Sequence, residues 1–357
     1  MHNKHTAIFG NSESAKTTFQ GVDCDRLLFY ICAMKNVSIL VPETAVIEAV
    51  ADPHYMFKAV NQFLQASVKP ALFNVQLVAI NKEVKLENSL FTVHTDKQLK
   101  DVKQTDLIFI PALSGDMKTA LELNKELVPW IVKHYNNGAE IASLCVGAFL
   151  LASTGLLNGK KCSTHWNSAN EFRAMFPQVE LVDGSIITEE QGIYSSGGAN
   201  SYWNLLLYLV EKYTDRDTAI LASKYFAVDI DRESQSAFML FKGQKGHEDA
   251  EILLAQEFIE GHYTDKITVD VLAEKYAIGR RSFERRFKKA TNNTVVEYMQ
   301  RVKIEAAKRS FESSRKNINE VMFDVGYTDT KAFRTVFKKI TGFTPIEYRN
   351  KYNKQVM

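Results

Sequence analysis

Cys145 occupies the position in this 357-residue sequence where residue types and spacing suggest nucleophilic chemistry. It lies between two apolar runs, and the small residues Ser143 and Gly147 stand two positions to either side of it. Small neighbours tolerate the sharp strand-turn-helix bend of a nucleophile elbow. A helix that starts after the bend would lower the pKa of the thiol, and the order of elements allows His165 to reach it. The alternatives are a small buried cysteine at a turn and a hydrogen-bonded core histidine.

Basic residues are concentrated in the C-terminal quarter of the chain. Residues 271–357 hold 20 Lys and Arg against 9 Asp and Glu, a net charge of +11. Residues 1–270 hold 24 against 33, a net charge of −9, so the overall charge of +2 conceals a division. Such asymmetry indicates a segment that binds nucleic acid or a membrane surface, attached to an ordinary globular region.

An internal repeat gives the basic segment a structure. Between residues 283–298 and 333–348, eight of sixteen positions are identical. Each copy has the pattern of a helix, a tight turn and a second helix. In the second helix of the first copy, Phe283 and Phe287 share one face, so the basic side chains point the other way. A lone basic helix face would be plain solvent-exposed surface, but the duplication favours two helix-turn-helix units.

Position along the second helix of each unit selects the residues best placed to contact DNA. Arg can pair bidentately with guanine, while lysines near the end of a recognition helix more often meet phosphates. The candidates for base or phosphate contact are Arg280, Arg281, Glu284, Arg285, Thr330, Lys331 and Arg334. The candidates for phosphate contact are Lys288, Lys289, Lys338 and Lys339.

Two capping boxes predict the helices that follow the recognition helices. Thr294 and Glu297 have this spacing, which predicts a helix over residues 294–311. At 1.5 Å per residue it would be roughly 27 Å long, about right to place two recognition helices in successive major grooves ~34 Å apart. The second box, Thr344 and Glu347 with a proline at the first helical position, predicts the last helix.

The elements that must hold Cys145 alternate between β-rich runs and amphipathic stretches, the pattern of βαβ units and a mostly parallel sheet. Strands are predicted at 37–41, 73–79, 107–110, 140–144, and 186–188 with 193–195. Helices are predicted at 49–65, 124–136, 146–154, 168–175 and 201–212. We therefore expect an α/β sandwich followed by an all-α region.

Composition excludes several classes of protein. With 45% hydrophobic and 24% charged residues, the chain is typical of globular proteins and unlike disordered or collagen-like ones. The apolar run at 141–157 is interrupted by polar residues and is shorter than the ~20 apolar residues of a membrane span. Four unevenly spaced cysteines argue against a secreted disulfide framework, so we expect a cytoplasmic protein.

The length predicts more than one domain. We expect an α/β domain over residues 34–241, a glycine-rich linker over 242–250, and a DNA-binding domain over 251–352. Residues 1–33 fit neither domain, so they are expected to form a loose extension, or translation begins at Met34.

Residues 251–352 resemble the DNA-binding domain of the AraC family of transcription regulators. The signature residues lie in both units and in the helix between them: Leu272, Ala273, Phe283, Arg285, Phe287, Lys288, Arg301, Val302, Ala306, Ile318, Gly326, Tyr327, Phe333, Phe337, Lys338, Gly342, Thr344, Pro345, Tyr348 and Arg349. Three positions depart from the family pattern. Gly279 replaces the usual Ser cap, Met322 replaces Ala, and Thr335 replaces an Arg, which leaves the base preference of the second unit open.

Residues 37–240 resemble the class I glutamine amidotransferase-like superfamily, to which PfpI-type proteases belong. The resemblance is carried by short motifs: Cys145 to Ala152, Thr154 to Leu157 with Gly159, Thr164 to Trp166, Phe176-Pro177, Ser196 to Gly198, and Arg232 with Gln235. It implies a flavodoxin-like α/β sandwich with a mostly parallel sheet. It also places Glu48 near the acidic residue that supports the cysteine in related enzymes.

Three roles stay open for this α/β domain. Catalysis by Cys145 and His165 would make the chain a cysteine-dependent amidase or related hydrolase with a DNA-binding tail, yet no His-x-Glu pair follows at His165. A purely dimerising domain is the second role. The favoured role is a ligand sensor with Cys145 and His165 in its pocket. Aromatic residues could wall that pocket for a cationic ligand, although aromatics in helices are more often core; they are Trp166, Tyr194, Tyr202 and Trp203.

Together the two resemblances imply a bacterial transcription regulator. Its expected partners are promoter DNA in double-stranded form, a small nitrogenous effector such as an amino acid or quaternary amine, a second copy of the chain, and RNA polymerase. No cofactor, metal or membrane is expected. Effector binding would change the spacing or freedom of the DNA-binding units across the dimer.

Overall fold

The structure of the protein, a computed structural model, describes residues 34–86, 89–182, 184–230, 241 and 243–353. Along the sequence these residues form an α/β part, residues 34–230, and a helical part, residues 243–353. The predicted extension over residues 1–33 lies outside the described residues, as do Arg232 and Gln235.

The β-rich runs of the α/β part form its strands. They are β1 (Lys35–Leu40), β2 (Phe73–Ala79), β3 (Glu83–Leu86), β4 (Phe91–His94), β5 (Lys97–Gln98), β6 (Leu107–Ile110), β7 (Glu140–Ser143), β8 (Lys161–Cys162), β9 (Glu180–Leu181), β10 (Ile187–Glu190) and β11 (Ile193–Ser196). Seven of them make one sheet in the order β10-β11-β7-β6-β1-β2-β5. All pairs in this sheet are parallel except β10 with β11.

Helices cover both faces of the sheet. They are α1 (Ile47–Ala66), α2 (Met117–Leu123), α3 (Leu127–Asn136), α4 (Ala148–Ser153), α5 (Ala169–Met175), α6 (Tyr202–Tyr213) and α7 (Arg216–Phe226). Successive residues of a strand point to opposite faces, so Phe109 joins the core beneath α1, α6 and α7, while Ile108 joins the core beneath α2 to α5. The predicted α/β sandwich with a mostly parallel sheet is confirmed.

The predicted strands at 73–79 and 107–110 have the observed bounds. The predicted start of a helix at residue 124 is wrong, because Asn124 ends α2 and turns its buried side chain inward. Its amide oxygen accepts a hydrogen bond from the backbone N–H of Glu43 at 2.9 Å, and its amide nitrogen donates to the carbonyl of Ala120. Sequence patterns did not predict α2, α7 or the strands β3, β4, β5 and β9, which are too short or too polar to show a clear period.

Seven helices form the helical part. They are α8 (Ala250–Gly261), α9 (Val269–Lys275), α10 (Arg280–Thr291), α11 (Val295–Ser313), α12 (Ile318–Asp324), α13 (Thr330–Thr341) and α14 (Pro345–Tyr352). The first half of α11 packs with α8, α9 and α10, and its second half packs with α12, α13 and α14. This single helix therefore joins two separate hydrophobic cores.

Both predicted capping boxes are present. Thr294 accepts a hydrogen bond from the N–H of Glu297, whose carboxylate accepts from the N–H of Thr294 in return, and Thr344 and Glu347 repeat the arrangement. The helix predicted over 294–311 is α11, which runs two residues further. In the described part of the chain, no helix is both long and apolar enough to cross a membrane.

A candidate nucleic-acid interface and a candidate ligand site

Each of the two repeated units is a helix, a tight turn and a recognition helix. In the first unit α9 leads into α10 through Ala277, which has a left-handed backbone (φ 51°). In the second unit α12 leads into α13 through Gly326 (φ 76°), where an added Cβ would lie 2.5 Å from the carbonyl oxygen of Thr264. The second turn therefore needs glycine both for its conformation and for its close approach to the preceding loop.

Buried phenylalanines fix the orientation of both recognition helices. Phe283 and Phe287 of α10 are fully buried, and so are Phe333 and Phe337 of α13. At 3.6 residues per turn, the side of each helix opposite these rings faces solvent. The outward, exposed side chains are Arg281, Arg285, Lys288 and Lys289 on α10, and Lys331, Thr335, Lys338 and Lys339 on α13.

Two arginines of α10 are held by carboxylates. Arg280 donates from Nη1 to both carboxylate oxygens of Asp270, each at 2.9 Å, so it ties the start of α10 to α9. Arg286 forms hydrogen bonds with Asp249 at 2.6 and 2.9 Å and with Glu251 at 2.6 Å, which tie α10 to the start of α8. These hydrogen bonds from Arg286 lower the pKa of Asp249.

Among the other predicted DNA-contacting residues, some side chains have partners within the protein and others do not. Glu284 lies 3.6 Å from Arg280 and extends the Asp270 ion pair. Lys288 donates to the carbonyl of Asn292 at the end of α10. In the part of the chain that the structure describes, no hydrogen bond or ion pair engages the remaining side chains, which leaves their charges directed to solvent; they are Arg281, Arg285, Lys289, Lys331, Arg334, Lys338 and Lys339.

A second set of predicted residues lies at the carboxyl edge of the sheet. Cys145 follows β7 and has a left-handed backbone (φ 55°), the strained turn expected of a nucleophile elbow. Its N–H donates to Ser196 Oγ at 3.3 Å. Gly147 is required by close packing, because an added Cβ would lie 2.5 Å from the carbonyl oxygen of Pro111.

Of the two interpretations of Cys145, the small buried cysteine at a turn matches its surroundings in the structure. Cys145 is only 7% exposed, and this burial raises the pKa of its thiol to about 11. A hydrogen bond from the backbone of Val146 acts in the opposite direction but is the smaller effect. Burial dominates because the thiolate loses its hydration where the site is closed to water.

Among the described residues, no hydrogen bond joins Cys145 to His165. His165 Nδ1 accepts a hydrogen bond from the N–H of Asn167 at 3.1 Å, and burial lowers the pKa of its imidazole. The neighbouring Thr164 contacts the cysteine instead, donating from Oγ1 to the carbonyl oxygen of Cys145 at 3.2 Å. Trp166 lies beside the imidazole, with ring centroids 5.4 Å apart.

Acidic and aromatic side chains from α1 and α6 meet close to this edge. The Tyr202 hydroxyl donates to Asp52 Oδ2 at 2.6 Å. Burial raises the pKa of Asp52, and the hydrogen bonds from Tyr202 and Trp203 oppose that rise. Burial first, and then the hydrogen bond to Asp52, raise the pKa of Tyr202. The family resemblance indicated Glu48 but not Asp52, which lies one helical turn further along α1.

Tyr194 lies apart from this group. Its ring reaches toward the amino end of β7, where its hydroxyl donates to Glu140 and Glu189 at 3.1 Å. Lys212 Nζ lies 4.8 Å from the centre of the same ring. Trp203 stays near the site and packs against Phe226. No group of three or more His, Cys, Asp or Glu residues in the described chain could hold a metal ion.

Two family models match this chain, one within the α/β part and one within the helical part. Residues 37–212 match the DJ-1/PfpI family, and residues 272–351 match a family described as a helix-turn-helix domain. Among solved structures, a putative transcriptional regulator from Vibrio parahaemolyticus is 20% identical, with a TM-score of 0.49 over 54% of this chain and 98% of that one. An AraC family regulator from Pseudomonas putida is 18% identical, with a TM-score of 0.45 over 54% and 99%.

Curated relatives match 60–74% of the chain. From Pseudomonas aeruginosa, the HTH-type transcriptional regulator ArgR is 25% identical over 60% of this chain and 65% of its own length. The regulator CdhR is 23% identical over 74% and 78%. The regulator GbdR is 22% identical over 66% and 64%. The chain thus spans slightly less than two thirds of ArgR and of GbdR.

Proposed function

We propose that the chain, which matches the DJ-1/PfpI family ahead of a helix-turn-helix domain, is an AraC-type, sequence-specific transcription regulator controlled by a small nitrogenous effector. Its proposed DNA-binding domain spans residues 251–352 and its proposed sensor domain residues 34–241.

The observation that carries the proposal is the pair of recognition helices on one connecting helix. With 19 residues, α11 is roughly 28 Å long, and it holds α10 at one end and α13 at the other. Both recognition helices turn exposed cations away from their buried phenylalanines. This arrangement suits two successive major grooves on one face of a duplex, where cations replace the counterions of the phosphates.

We assign the base contacts chiefly to the first unit. Arg281 and Arg285 lie one turn apart near the amino end of α10, where recognition helices contact base edges, and each guanidinium can donate two hydrogen bonds to guanine. At the equivalent places α13 carries Lys331 and Thr335, and its one arginine, the exposed Arg334, lies beside these places and not at them. We therefore infer that α13 contributes more to phosphate contact than to sequence choice.

Arg280 and Arg286 have a different role in this proposal. Their carboxylate partners neutralise them and hold α10 against α9 and α8. Replacing either should loosen the recognition helix, whereas replacing Arg281 or Arg285 should remove a contact with DNA and leave the fold unchanged.

The effector site is proposed at the carboxyl edge of the sheet. Glu48 and Asp52 offer negative charge, and the half-buried ring of Trp203, which is hydrogen-bonded to Asp52, offers a π-face; this combination binds ammonium groups. The buried Tyr202 holds the Asp52 carboxylate in place. Ligands of doubly wound folds commonly bind at this edge. The site supports an effector that carries an amine or quaternary ammonium group.

Catalysis by Cys145 is the alternative, and two observations weigh against it. The buried thiol stays protonated near neutral pH because its pKa is about 11. The His165 Nδ1 atom accepts from a backbone N–H and makes no hydrogen bond to the thiol in the described chain. Replacing Cys145 with Ala decides between the two functions: unchanged promoter control supports the sensor, and loss of a hydrolytic activity supports the enzyme.

The homodimer, RNA polymerase contacts and cytoplasmic location stay predictions.

Selection of bound sequences from a random DNA library tests the proposal with the full chain. We expect an enriched motif in which Arg285→Ala relaxes one or two positions, with discrimination falling by about 1–3 kcal/mol per lost bidentate contact. Thr335→Ala, at the equivalent place on α13, is the matched control and should leave the motif unchanged. Failure to enrich any sequence would refute the proposal.

A further inference from the structure

Residues 241 and 243–247, within and beside the stretch predicted as a linker, lie against the helical part; we name them the strap. Phe241 packs edge-on against Tyr298 of α11, with ring centroids 5.0 Å apart. Its backbone N–H donates to Glu305 Oε2 at 3.2 Å, in the middle of α11. The Arg301 guanidinium lies 5.9 Å from the centre of the Phe241 ring. The start of the strap is therefore anchored to the helix that joins the two units.

Gly243 brings the strap closest to this helix. Its backbone is left-handed (φ 71°), and an added Cβ would lie 2.3 Å from the Tyr298 hydroxyl and 3.0 Å from Glu260 Oε1. Tyr298 is fully buried, and its hydroxyl donates to Glu260 at 2.6 Å, so the ring has little freedom to withdraw. A residue larger than glycine at position 243 would push the strap off α8 and α11.

Side chains of α8 hold the rest of the strap. Buried Gln256 donates from Nε2 to the carbonyl of Gln244 at 3.0 Å, and its Oε1 lies 2.8 Å from Nε2 of His247. Lys245 forms an ion pair of 2.8 Å with Glu260. These contacts give a glycine-rich segment a defined path that its composition does not predict.

The contacts of the strap continue into the first recognition helix. Tyr298 packs against Phe241 and leaves no room for a side chain at Gly243. The same ring also packs against Phe287 of α10, with ring centroids 5.3 Å apart. Two residues after the strap, Asp249 caps α8 and binds Arg286 of α10. Strap, α8 and α11 thus share one packed core with the helix that is proposed to choose the DNA sequence.

We propose that the strap is a regulatory element: docked, it holds α10 in the arrangement that binds DNA, and released, it lowers the affinity for DNA. This inference rests on the proposed function. The surface of α8 and α11 that receives the strap is the docking surface, and its occupant is this segment of the same chain. Phe241 is both the last residue of the proposed sensor domain and the first residue of the strap. A change in that domain therefore acts on DNA binding by seating or withdrawing the strap.

Limited trypsin digestion of the full chain measures docking through cleavage after Lys245. A docked strap is cut slowly, because a protease needs a locally opened segment. We expect Gly243→Ala to speed this cleavage about tenfold, within the usual range of coupling between sites. Gly246→Ala is the matched control, since an added Cβ there meets nothing within 4 Å, and it should match wild type. Phe241→Ala should also speed this cleavage. Because it adds no atoms, it keeps the test available if Gly243→Ala disturbs folding.

Linkage to DNA supplies the decisive measurement. Saturating selected duplex should slow cleavage after Lys245 in wild type, and release of the strap by Gly243→Ala should weaken DNA binding, because coupling between two sites is reciprocal. The two factors become equal for a variant whose strap is fully released. A strap that is freed without loss of DNA affinity, or cleavage that DNA leaves unchanged, would overturn the inference. If no duplex is selected, the proposed function is refuted instead. The two failures can be told apart, because protection of the strap from trypsin is measured without DNA.

Discussion

Lys338 and Lys339, in the last turn of α13, allow their assignment to DNA phosphates to be tested through the salt dependence of binding. Both side chains are exposed, and neither makes a hydrogen bond or ion pair within the described residues. The double variant Lys338→Gln with Lys339→Gln removes two positive charges and keeps side chains of similar length and helix propensity. If each lysine meets a phosphate, the variant releases two fewer counterions on binding.

The size of the effect follows from counterion release. Each phosphate contact contributes about 0.9 to the slope of log K against log salt, so the double variant should flatten that slope by about 1.8. Between 50 and 200 mM salt, it should then lose about tenfold less affinity than wild type does. Because phosphates carry no sequence information, the ratio of specific to non-specific affinity should stay unchanged.

Fluorescence anisotropy with a labelled duplex, titrated at four salt concentrations, measures both quantities. A matched control is the double variant Lys58→Gln with Lys118→Gln, which removes the same charge from exposed positions of the α/β part. The control should keep the wild-type slope. An unchanged slope in the α13 variant, or an equal change in both variants, would refute the assignment of these lysines to phosphates.

The remaining expectations concern the α/β part and a helix cap. Gly147→Ala should lower the free energy of unfolding by about 1–3 kcal/mol through overpacking against backbone, measured by urea denaturation, while Gly261→Ala, with open space around its Cβ, should not. Since burial raises the thiol pKa of Cys145 to about 11, alkylation by iodoacetamide should be slow at pH 8 and accelerate only well above it; rapid modification at pH 8 contradicts this. Hydrogen bonds from Thr344 lower the pKa of Glu347 below its usual value of 4.5. The ionised cap therefore stabilises the fold above that pH, and this stabilisation is lost as pH falls through the lowered pKa. Glu347→Gln should reduce the pH dependence of the free energy of unfolding between pH 5 and 3, measured by urea denaturation.

The helical part could be predicted closely because its signals are local. Each capping box needs two residues three positions apart, and the buried face of each recognition helix needs two phenylalanines four apart. Because the sequence repeats, the same capping box and the same phenylalanine pair occur in both copies, and each copy supports the prediction for the other. The ion pairs could not be predicted in this way: Arg280 and Asp270 are ten positions apart, and Arg286 and Asp249 are 37 apart. Their meeting depends on how α8, α9 and α10 pack.

The candidate ligand site shows the limit of sequence patterns more sharply. The elbow at Cys145 was predicted from its small neighbours, and its strained turn is present. Whether the thiol is reactive or buried stayed open at the level of sequence, because the surroundings that bury it come from distant parts of the chain. Asp52 was missed for the same reason, since its hydrogen-bond partner Tyr202 is 150 positions away. The docking of Gly243 likewise depends on Tyr298, which no local pattern relates to a glycine-rich segment.

Hydroxyl-radical footprinting of the full chain on its selected duplex tests the central claim most directly. Two recognition helices held by α11 predict two protected regions on one face of the DNA, centred about 10–10.5 base pairs apart. Arg285→Ala should weaken the protection at the region bound by α10 and leave the spacing unchanged. A single protected region, protection on opposite faces, or a footprint that does not depend on sequence would contradict the account.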